Sequence, residues 1–341
     1  MRFGLHIPVL AFLAMLPSST VHGEDPAARV LTSGSLSVEV MDPNHPDRYN
    51  RGVRFTPVAA VLRANLNGRS YLYAPADHDP VVDHGGLAAE FDLCIPGGPE
   101  ADLPPGYEEA AVGEGFLKVG VGVLRKGKKT YNFFQKPELI ESAKTTVQWS
   151  PDSAAFRQTC GGVNGYAYEL AATVTVRDNA VFVDWKLTNT GTKALVTKQY
   201  THNFFRFGDH DIGDGYILSF PHDFQAECLE SGQKQIGRDI LFVGAIRKWI
   251  NALVRPPADY AGPNAFLLRD TVTGQSVRCE TSVPGLFTAI HARTSYVAPE
   301  QFIAISLAPG ETKTWSRSYA FMNGKASLSR VPGGDNPLPS K

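Results

Sequence analysis

The chain has 341 residues, of which 43% are hydrophobic and 20% are charged, and 33 Lys and Arg side chains stand against 34 Asp and Glu. This composition is typical of a globular protein and excludes a disordered, collagen-like or coiled-coil chain. The formal net charge of −1 gives no electrostatic basis for binding nucleic acid or an anionic membrane.

The first 23 residues have the pattern of a secretory signal peptide. Arg2 supplies a positive start, an apolar run covers residues 7–16, and Val21-His22-Gly23 offers a cleavage signal with small flanking residues. The apolar run is too short to span a bilayer. We therefore expect a periplasmic or secreted protein that is not inserted in a membrane once the leader is removed.

Polar groups interrupt the strands that alternation predicts in the first part of the chain. Arg51 and Arg54, three positions apart, offer a clamp for hydroxyls or a carboxylate, although a charged strand edge is the commoner arrangement. His84-Gly85-Gly86 combines a ring nitrogen with a backbone that a ligand can approach closely, as any tight turn also permits. The strands predicted here cover residues 36–40, 58–65, 69–73 and 116–124.

The four cysteines lie far apart in the chain, which excludes a metal or redox motif of the CxxC type. In an oxidising compartment they are compatible with one or two disulfides, and equally with isolated buried thiols. The sequence leaves this open for Cys94, Cys160, Cys228 and Cys279.

Residues 168–188 have the clearest pattern in the chain. Apolar and polar residues alternate with a period of two on both sides of Asp178-Asn179, which predicts an antiparallel hairpin with one buried face. Residues 194–200 predict the next strand. Further strands are predicted at residues 216–220, 266–269, 285–292, 302–307 and 312–321.

Only residues 239–254 show helical spacing of apolar residues, and two shorter strands fit this segment nearly as well because Gly244 interrupts it. Many strands with no alternation of strands and helices indicate an all-β protein built as a large antiparallel β-sandwich. We expect one domain over residues 24–323 and a flexible tail over residues 324–341.

The segment after the 194–200 strand carries the densest group of candidate ligand residues. If the strand continues, His202, Phe204 and Arg206 share one face. An imidazole, an aromatic ring and a guanidinium on a concave sheet suit a sugar, whose ring has an apolar face and hydroxyl edges. The alternative is a hydrogen-bonded core histidine on a half-buried strand.

Two other motifs bear on metal and acid–base chemistry. The acidic loop at residues 209–214 lacks the ligands that an EF-type calcium loop requires, so we expect no metal there. Glu300 precedes an apolar stretch and is a candidate general base if burial raises its pKa. No motif of serine or cysteine hydrolases, kinases or zincins is present.

Three short motifs resemble those of the galactose mutarotase-like superfamily, which includes the aldose 1-epimerases, and they occur in the same order. His84-Gly85-Gly86 is similar to the family's His-Gly-Gly, and Thr201-His202-Asn203-Phe204-Phe205 is similar to its Asn-His-x-Tyr-Phe segment. Pro299-Glu300, followed by Leu307-Ala308-Pro309-Gly310-Glu311-Thr312, resembles its terminal Glu and the Pro-Gly-Glu turn into the last strand.

The resemblance implies a two-layer antiparallel sandwich whose concave sheet holds a hexose. It implies that His202, as imidazolium, protonates the ring oxygen while Glu300, as carboxylate, takes the proton of the anomeric hydroxyl. His84 would orient the sugar, and Arg54 would hold a hydroxyl. No cofactor is implied, because one acid and one base suffice.

The sequence also departs from the family. Thr201, Phe204 and Arg206 stand where the family usually has Asn, Tyr and Asn, and the glycine-rich residues 113–122 suggest a divergent exported branch. The family's catalytic Asp has no matching motif, so Asp223 is a candidate by its chemistry alone. The leading hypothesis is an exported aldose 1-epimerase-like enzyme acting on a small sugar or oligosaccharide. The alternatives are a noncatalytic sugar-binding sandwich, and a lyase or hydrolase of a modified saccharide.

Overall fold

The computed structural model describes residues 27–95 and 100–324 of the chain. The predicted signal peptide lies outside these residues, as does nearly all of the predicted C-terminal tail. The described residues form strands and contain no helix. The strands are β1 (Ala28–Ser33), β2 (Leu36–Met41), β3 (Val61–Leu66), β4 (Arg69–Ser70), β5 (Leu87–Phe91), β6 (Gly115–Lys118), β7 (Gly122–Arg125), β8 (Leu139–Ser142), β9 (Lys144–Trp149), β10 (Ser153–Val163), β11 (Tyr166–Arg177), β12 (Ala180–Asn189), β13 (Leu195–Asn203), β14 (Tyr216–Ser219), β15 (Gln233–Ile236), β16 (Asp239–Phe242), β17 (Ile250–Val254), β18 (Asn264–Asp270), β19 (Gln275–Thr281), β20 (Phe287–Arg293), β21 (Tyr296–Leu307) and β22 (Thr312–Asn323).

Two large antiparallel sheets make up most of the molecule. The first, the site sheet, has the order β1-β2-β3-β5-β13-β21-β20-β17, with β4 paired to β3. The second has the order β15-β16-β14-β18-β19-β22-β12-β11-β10-β9, and β6, β7 and β8 form a small third sheet. The prediction of an all-β antiparallel sandwich is confirmed.

The hairpin β11–β12 shows how the sequence pattern sets the register. Arg177 pairs with Ala180 across the Asp178-Asn179 turn, and Asp178 adopts a positive φ of 54°, a conformation that Asp tolerates better than most residues. Every second side chain of both strands is then buried. A slip of one residue would turn this apolar face to solvent, so the alternation fixes the pairing.

The core lies between the two large sheets and is held by aromatic and polar contacts. Phe91 of the site sheet packs edge-on against Trp185 of the second sheet, at 6.4 Å between ring centroids, and Trp185 stacks on Trp315. Arg317 of β22 crosses the core, because its guanidinium donates to the Gln199 side chain and the Gln301 carbonyl. Both sheets are therefore packed against each other around one continuous core.

The structure decides one segment that the sequence left open and corrects two predicted boundaries. Residues 239–254 form the two shorter strands, β16 and β17, and not a helix, and Gly244 lies between them at a φ of 65°. The stretch at residues 116–124 is the hairpin β6–β7, whose turn places Gly120 at a φ of 84°. β21 begins at Tyr296, so Glu300 lies inside the strand and not before it.

Candidate active site

Two neighbouring strands of the site sheet bring the predicted acid and base together. β13 and β21 pair in antiparallel register, with Gln199 opposite Ile303. Continuing this register by three residues sets His202 opposite Glu300. The Nε2 atom of His202 lies 3.1 Å from Oε1 of Glu300, and each residue is only 6% exposed.

Aromatic rings surround the imidazole of His202. Phe204 stacks on it at 3.9 Å between centroids, with an interplanar angle of 14°, and Phe55 meets it edge-on at 5.9 Å. Phe55 also contacts His84, at 4.3 Å between centroids. The structure therefore gathers His84, Phe204 and Glu300 around His202.

Burial sets the protonation of the pair. Desolvation, with added repulsion from Arg54, His291 and His84, holds the pKa of His202 well below its usual value. Desolvation raises the pKa of Glu300 to about 8, against the opposing effect of Arg54. At neutral pH the one proton of this hydrogen bond therefore resides on Glu300, and both groups are uncharged.

Arg54 is the charged group that acts most strongly on both members of this pair, and a buried network fixes it. Its Nε donates to Glu90 Oε2 at 2.8 Å, and its Nη2 donates to the Tyr200 hydroxyl at 3.0 Å. The guanidinium lies against the rings of Phe55 and Phe133, 4.5 and 3.8 Å from their centroids. Arg54 thus presents a fixed positive charge beside Phe55.

Lys118 completes the network from the small third sheet. Its ammonium, fully buried, donates to Glu90 at 3.1 Å and to Asp92 at 2.7 Å. An unpaired buried ammonium would be expensive, so these acids are what allow Lys118 to be there. Sequence reasoning missed Lys118, Glu90 and Tyr200. The available signal was a charged residue on each side of Phe91 in an otherwise apolar strand.

Gly86 joins the His84 loop to the end of β13. Its N–H donates to the Tyr73 carbonyl and its carbonyl accepts the N–H of Phe204, both at 2.9 Å. The residue has a φ of 70°, and a Cβ atom here would collide with the Val61 carbonyl. The His-Gly-Gly sequence thus allows the loop that carries His84 to lie directly against Phe204.

His291 of β20 is a site residue that sequence reasoning missed. Its ring lies 6.0 Å from that of His202, and burial together with Arg54 and Arg293 lowers its pKa to about 4. Its Nδ1 is 2.9 Å from Asn251 Oδ1. A histidine inside the predicted strand at residues 285–292 was the only signal for it.

Two predicted sugar-binding residues lie apart from the pair. β13 ends at Asn203, so the alternation that would have aligned Arg206 with His202 does not extend to it, and Arg206 instead pairs with Asp211. Asp223 follows β14 of the second sheet, is exposed, and pairs with Arg238. In the described part of the chain neither residue contacts His202 or Glu300.

The surroundings of Arg206 form a separate cavity of about 810 Å³, whose lining includes Arg63 and Arg69. Within the described residues no group of three His, Cys, Asp or Glu side chains is placed to hold a metal ion. Asp214, in the acidic loop, accepts the N–H of Gly244. No helix among these residues has the length and apolarity needed to cross a membrane.

No family model matches the sequence, and no curated protein matches it. Solved structures do match the fold. The Slr1438 protein of Synechocystis sp. PCC 6803 matches with a TM-score of 0.57 and 12% identity, over 92% of this chain and 99% of that one. A putative aldose 1-epimerase of Escherichia coli K12 matches with a TM-score of 0.55 and 14% identity, over 86% and 98%.

A galactose 1-epimerase of Lactobacillus acidophilus NCFM matches with a TM-score of 0.51 and 10% identity, over 86% of this chain and 93% of that chain. The resemblance stated from the three sequence motifs is therefore confirmed at the level of the fold, which is galactose mutarotase-like. At such identities the likeness concerns the fold, and the chemistry has to be argued from the residues of this chain.

Proposed function

We propose that this protein binds a sugar at the His202–Glu300 pair and interconverts its anomers, as an exported aldose 1-epimerase-like enzyme. The observation that carries the proposal is the 3.1 Å contact between a buried imidazole and a buried carboxyl, which share the proton of their hydrogen bond. Anomer interconversion needs one proton donor and one proton acceptor, and it needs no redox partner.

In the proposed reaction, the proton of this hydrogen bond moves to the sugar as the ring opens and returns to the pair as the ring closes. Transfer along the existing hydrogen bond gives the imidazolium of His202 and the carboxylate of Glu300. His202 then protonates the ring oxygen while Glu300 accepts the anomeric hydroxyl proton, the ring C–O bond breaks, and an open-chain aldehyde forms. After the carbonyl group rotates, the reverse transfers close the ring to the other anomer and restore the pair.

Four neighbours support the binding of a sugar at this pair. Phe204 and Phe55 provide apolar surfaces for the carbon face of a pyranose ring. His84 contacts Phe55, and burial lowers its pKa well below the usual value, with a further contribution from Arg54, so it is a neutral partner for a hydroxyl. Arg54 is a charged donor that Glu90 holds in place.

One observation favours a second candidate function, a sugar-binding protein without catalysis. His202 and Glu300 touch each other directly, so a sugar that reacts with both must separate them or bridge them from one side. If His202 and Glu300 stay in contact, the sugar ring can lie only against the surrounding aromatic side chains.

Polarimetry on freshly dissolved α-D-glucose and α-D-galactose tests the proposal. We expect the protein to accelerate the decay of optical rotation, and His202→Asn and Glu300→Gln to lower kcat/KM by at least about 100-fold, the scale of lost acid–base catalysis. His222→Asn, in the loop after β14, and Glu169→Gln, in β11 of the second sheet, are matched controls that should retain activity. Unchanged rotation kinetics over a panel of aldoses, with sugar binding still detected by equilibrium dialysis, would leave the binding protein instead.

A further inference from the structure

A line of aromatic rings leads from the acid–base pair to the surface of the protein. His291 lies 6.0 Å from His202, and Trp249 lies 4.5 Å beyond, measured between ring centroids. His202 is 6% exposed, whereas Trp249 is 54% exposed. The line therefore runs from the reacting groups outward and ends on an open indole.

The hydrogen bonds of His291 determine which ring nitrogen is free. Glu230 Oε1 accepts the backbone N–H of Asn251 at 3.0 Å and its side-chain amide at 3.4 Å. The Asn251 amide oxygen consequently turns to His291 Nδ1, at 2.9 Å, and can only accept, so Nδ1 carries the proton. Nε2 is left with its lone pair.

This Nε2 atom is buried and has no hydrogen-bond partner among the described residues. An unpaired buried acceptor costs free energy, which a hydroxyl donor from a ligand would recover. Because the ring is neutral and its tautomer is held by Asn251, it offers an acceptor in a fixed direction. A sugar hydroxyl suits this acceptor, whereas a carboxylate has no proton to donate.

Trp249 adds an apolar platform to this acceptor. Arg293 lies 5.2 Å from the centroid of the indole and 5.8 Å from that of Tyr296, whose ring is 5.9 Å from that of His202. The same guanidinium therefore contacts the indole and a neighbour of the acid–base pair. Exposed tryptophans beside a polar acceptor suit pyranose rings, which carry an apolar face and hydroxyl edges. His291 lies between Trp249 and His202, so a sugar ring on the indole would not overlap the sugar that reacts at His202.

We propose that Trp249 and His291 form a second sugar subsite, so that the preferred substrate is a reducing saccharide of at least two residues. Its terminal reducing residue would lie at His202 and Glu300, and the next residue would stack on Trp249 while donating a hydroxyl to His291 Nε2. This inference rests on the proposed function for the reacting end alone, since the subsite can bind a sugar whether or not the pair is catalytic.

The test compares maltose, cellobiose and lactose with glucose and galactose. We expect kcat/KM for anomer interconversion of at least one disaccharide to exceed that of its reducing-end monosaccharide by about tenfold, the scale of one stacking contact. Trp249→Ala should remove this preference and leave the monosaccharide value within about twofold. Val243→Ala, an exposed change in the same connection between β16 and β17, should preserve it.

A binding measurement separates this inference from the proposed function. Disaccharide affinity is measured by equilibrium dialysis in the Glu300→Gln protein, alone and combined with either Trp249→Ala or His291→Phe. The His291→Phe change keeps an aromatic ring and removes the acceptor. Disaccharide binding that both changes weaken about tenfold supports the subsite even if the unmutated protein accelerates no sugar. If disaccharides bind and react no better than monosaccharides, or if Trp249→Ala changes neither quantity, the subsite proposal is overturned while the anomer chemistry stands or fails on its own assay.

Discussion

At the scale of single residues, the opposite pKa shifts of His202 and Glu300 have one cause. Both side chains are removed from water, and burial disfavours the charged form of each, which is the acid form of an imidazole and the base form of a carboxyl. A neutral pair needs no counterion, so the site can be buried. The proposed chemistry begins with the movement of one proton along the 3.1 Å hydrogen bond between them.

Glu300 should make the stability of the protein depend on pH. The unfolded chain releases the proton of Glu300 near pH 4.5, while the folded chain keeps it to about pH 8, so the folded state binds more protons in this interval. The free energy of unfolding contributed by Glu300 therefore falls as pH rises through this window, by at most about 1.4 kcal/mol per pH unit.

Glu300→Gln removes this titration and keeps a donor for His202. We expect the stability of the variant relative to the unmutated protein to improve steadily from pH 5 to pH 8, as measured by urea unfolding at each pH. His202 is present in both proteins, so its own titration cancels in the difference. A difference that stays constant with pH would show that Glu300 is ionised in the folded state.

At this scale the sequence gives part of the site. Motif resemblance singled out His84, His202 and Glu300, which the structure gathers together, because short stretches of chain carry them. Alternation placed Phe204 beside His202, one residue beyond the end of β13, and failed for Arg206, three residues beyond it. The network of Lys118 and Glu90 depends on residues from different sheets, and no local pattern reports such contacts.

At the scale of secondary-structure elements, Gly86 decides how the His84 loop meets β13. The residue needs a left-handed backbone and also has no room for a Cβ atom, because the chain of β3 lies directly beside it. Gly68, in the turn between β3 and β4, has a similar φ of 76° but open space around it. Comparing substitutions at the two glycines therefore distinguishes the cost of backbone strain from the cost of steric contact.

Gly86→Ala should destabilise the fold more than Gly68→Ala. We expect Gly68→Ala to lower the free energy of unfolding by about 1–2 kcal/mol from backbone strain alone. Gly86→Ala should cost about 1–3 kcal/mol beyond that, as overpacking does. Urea unfolding of the two variants measures both free energies. Equal losses of stability would mean that the β3 backbone moves to accommodate the Cβ atom at no energetic cost.

Strands were predictable where one face is apolar and the other polar, as in β11 and β12. β10 and β19 were missed because their buried faces include polar residues, such as Gln158 of β10 and Arg278 of β19. These side chains break the period of two that marks a half-buried strand. Which polar residues are buried depends on partners supplied by distant strands, so the local sequence cannot reveal it.

At the scale of the whole molecule, one large core stabilises the protein without covalent cross-links. The cysteines, for which the sequence left disulfides and free thiols open, are all unpaired. Cys94, Cys160 and Cys279 are buried in different regions, and Cys228 alone is exposed. A chain of this length buries enough surface to fold without disulfides.

Thiol labelling should report this arrangement. We expect an aromatic disulfide reagent to label one thiol per molecule in the native protein, Cys228, and four in concentrated guanidinium chloride. Cys228→Ser should abolish the native reaction and leave three thiols after unfolding. Fewer than four reactive thiols in the unmutated, denatured and unreduced protein would indicate a disulfide.

The position of β22 in the second sheet has a consequence for biosynthesis. This strand is the last in the described chain, yet it lies between β19 and β12 and joins the two halves of the sheet. During synthesis, neither half can complete its hydrogen bonding until β22 has been made, so the second sheet closes late. Late closure of this kind gives slow folding and leaves strand edges exposed meanwhile, a state that chaperones bind and that is prone to aggregation.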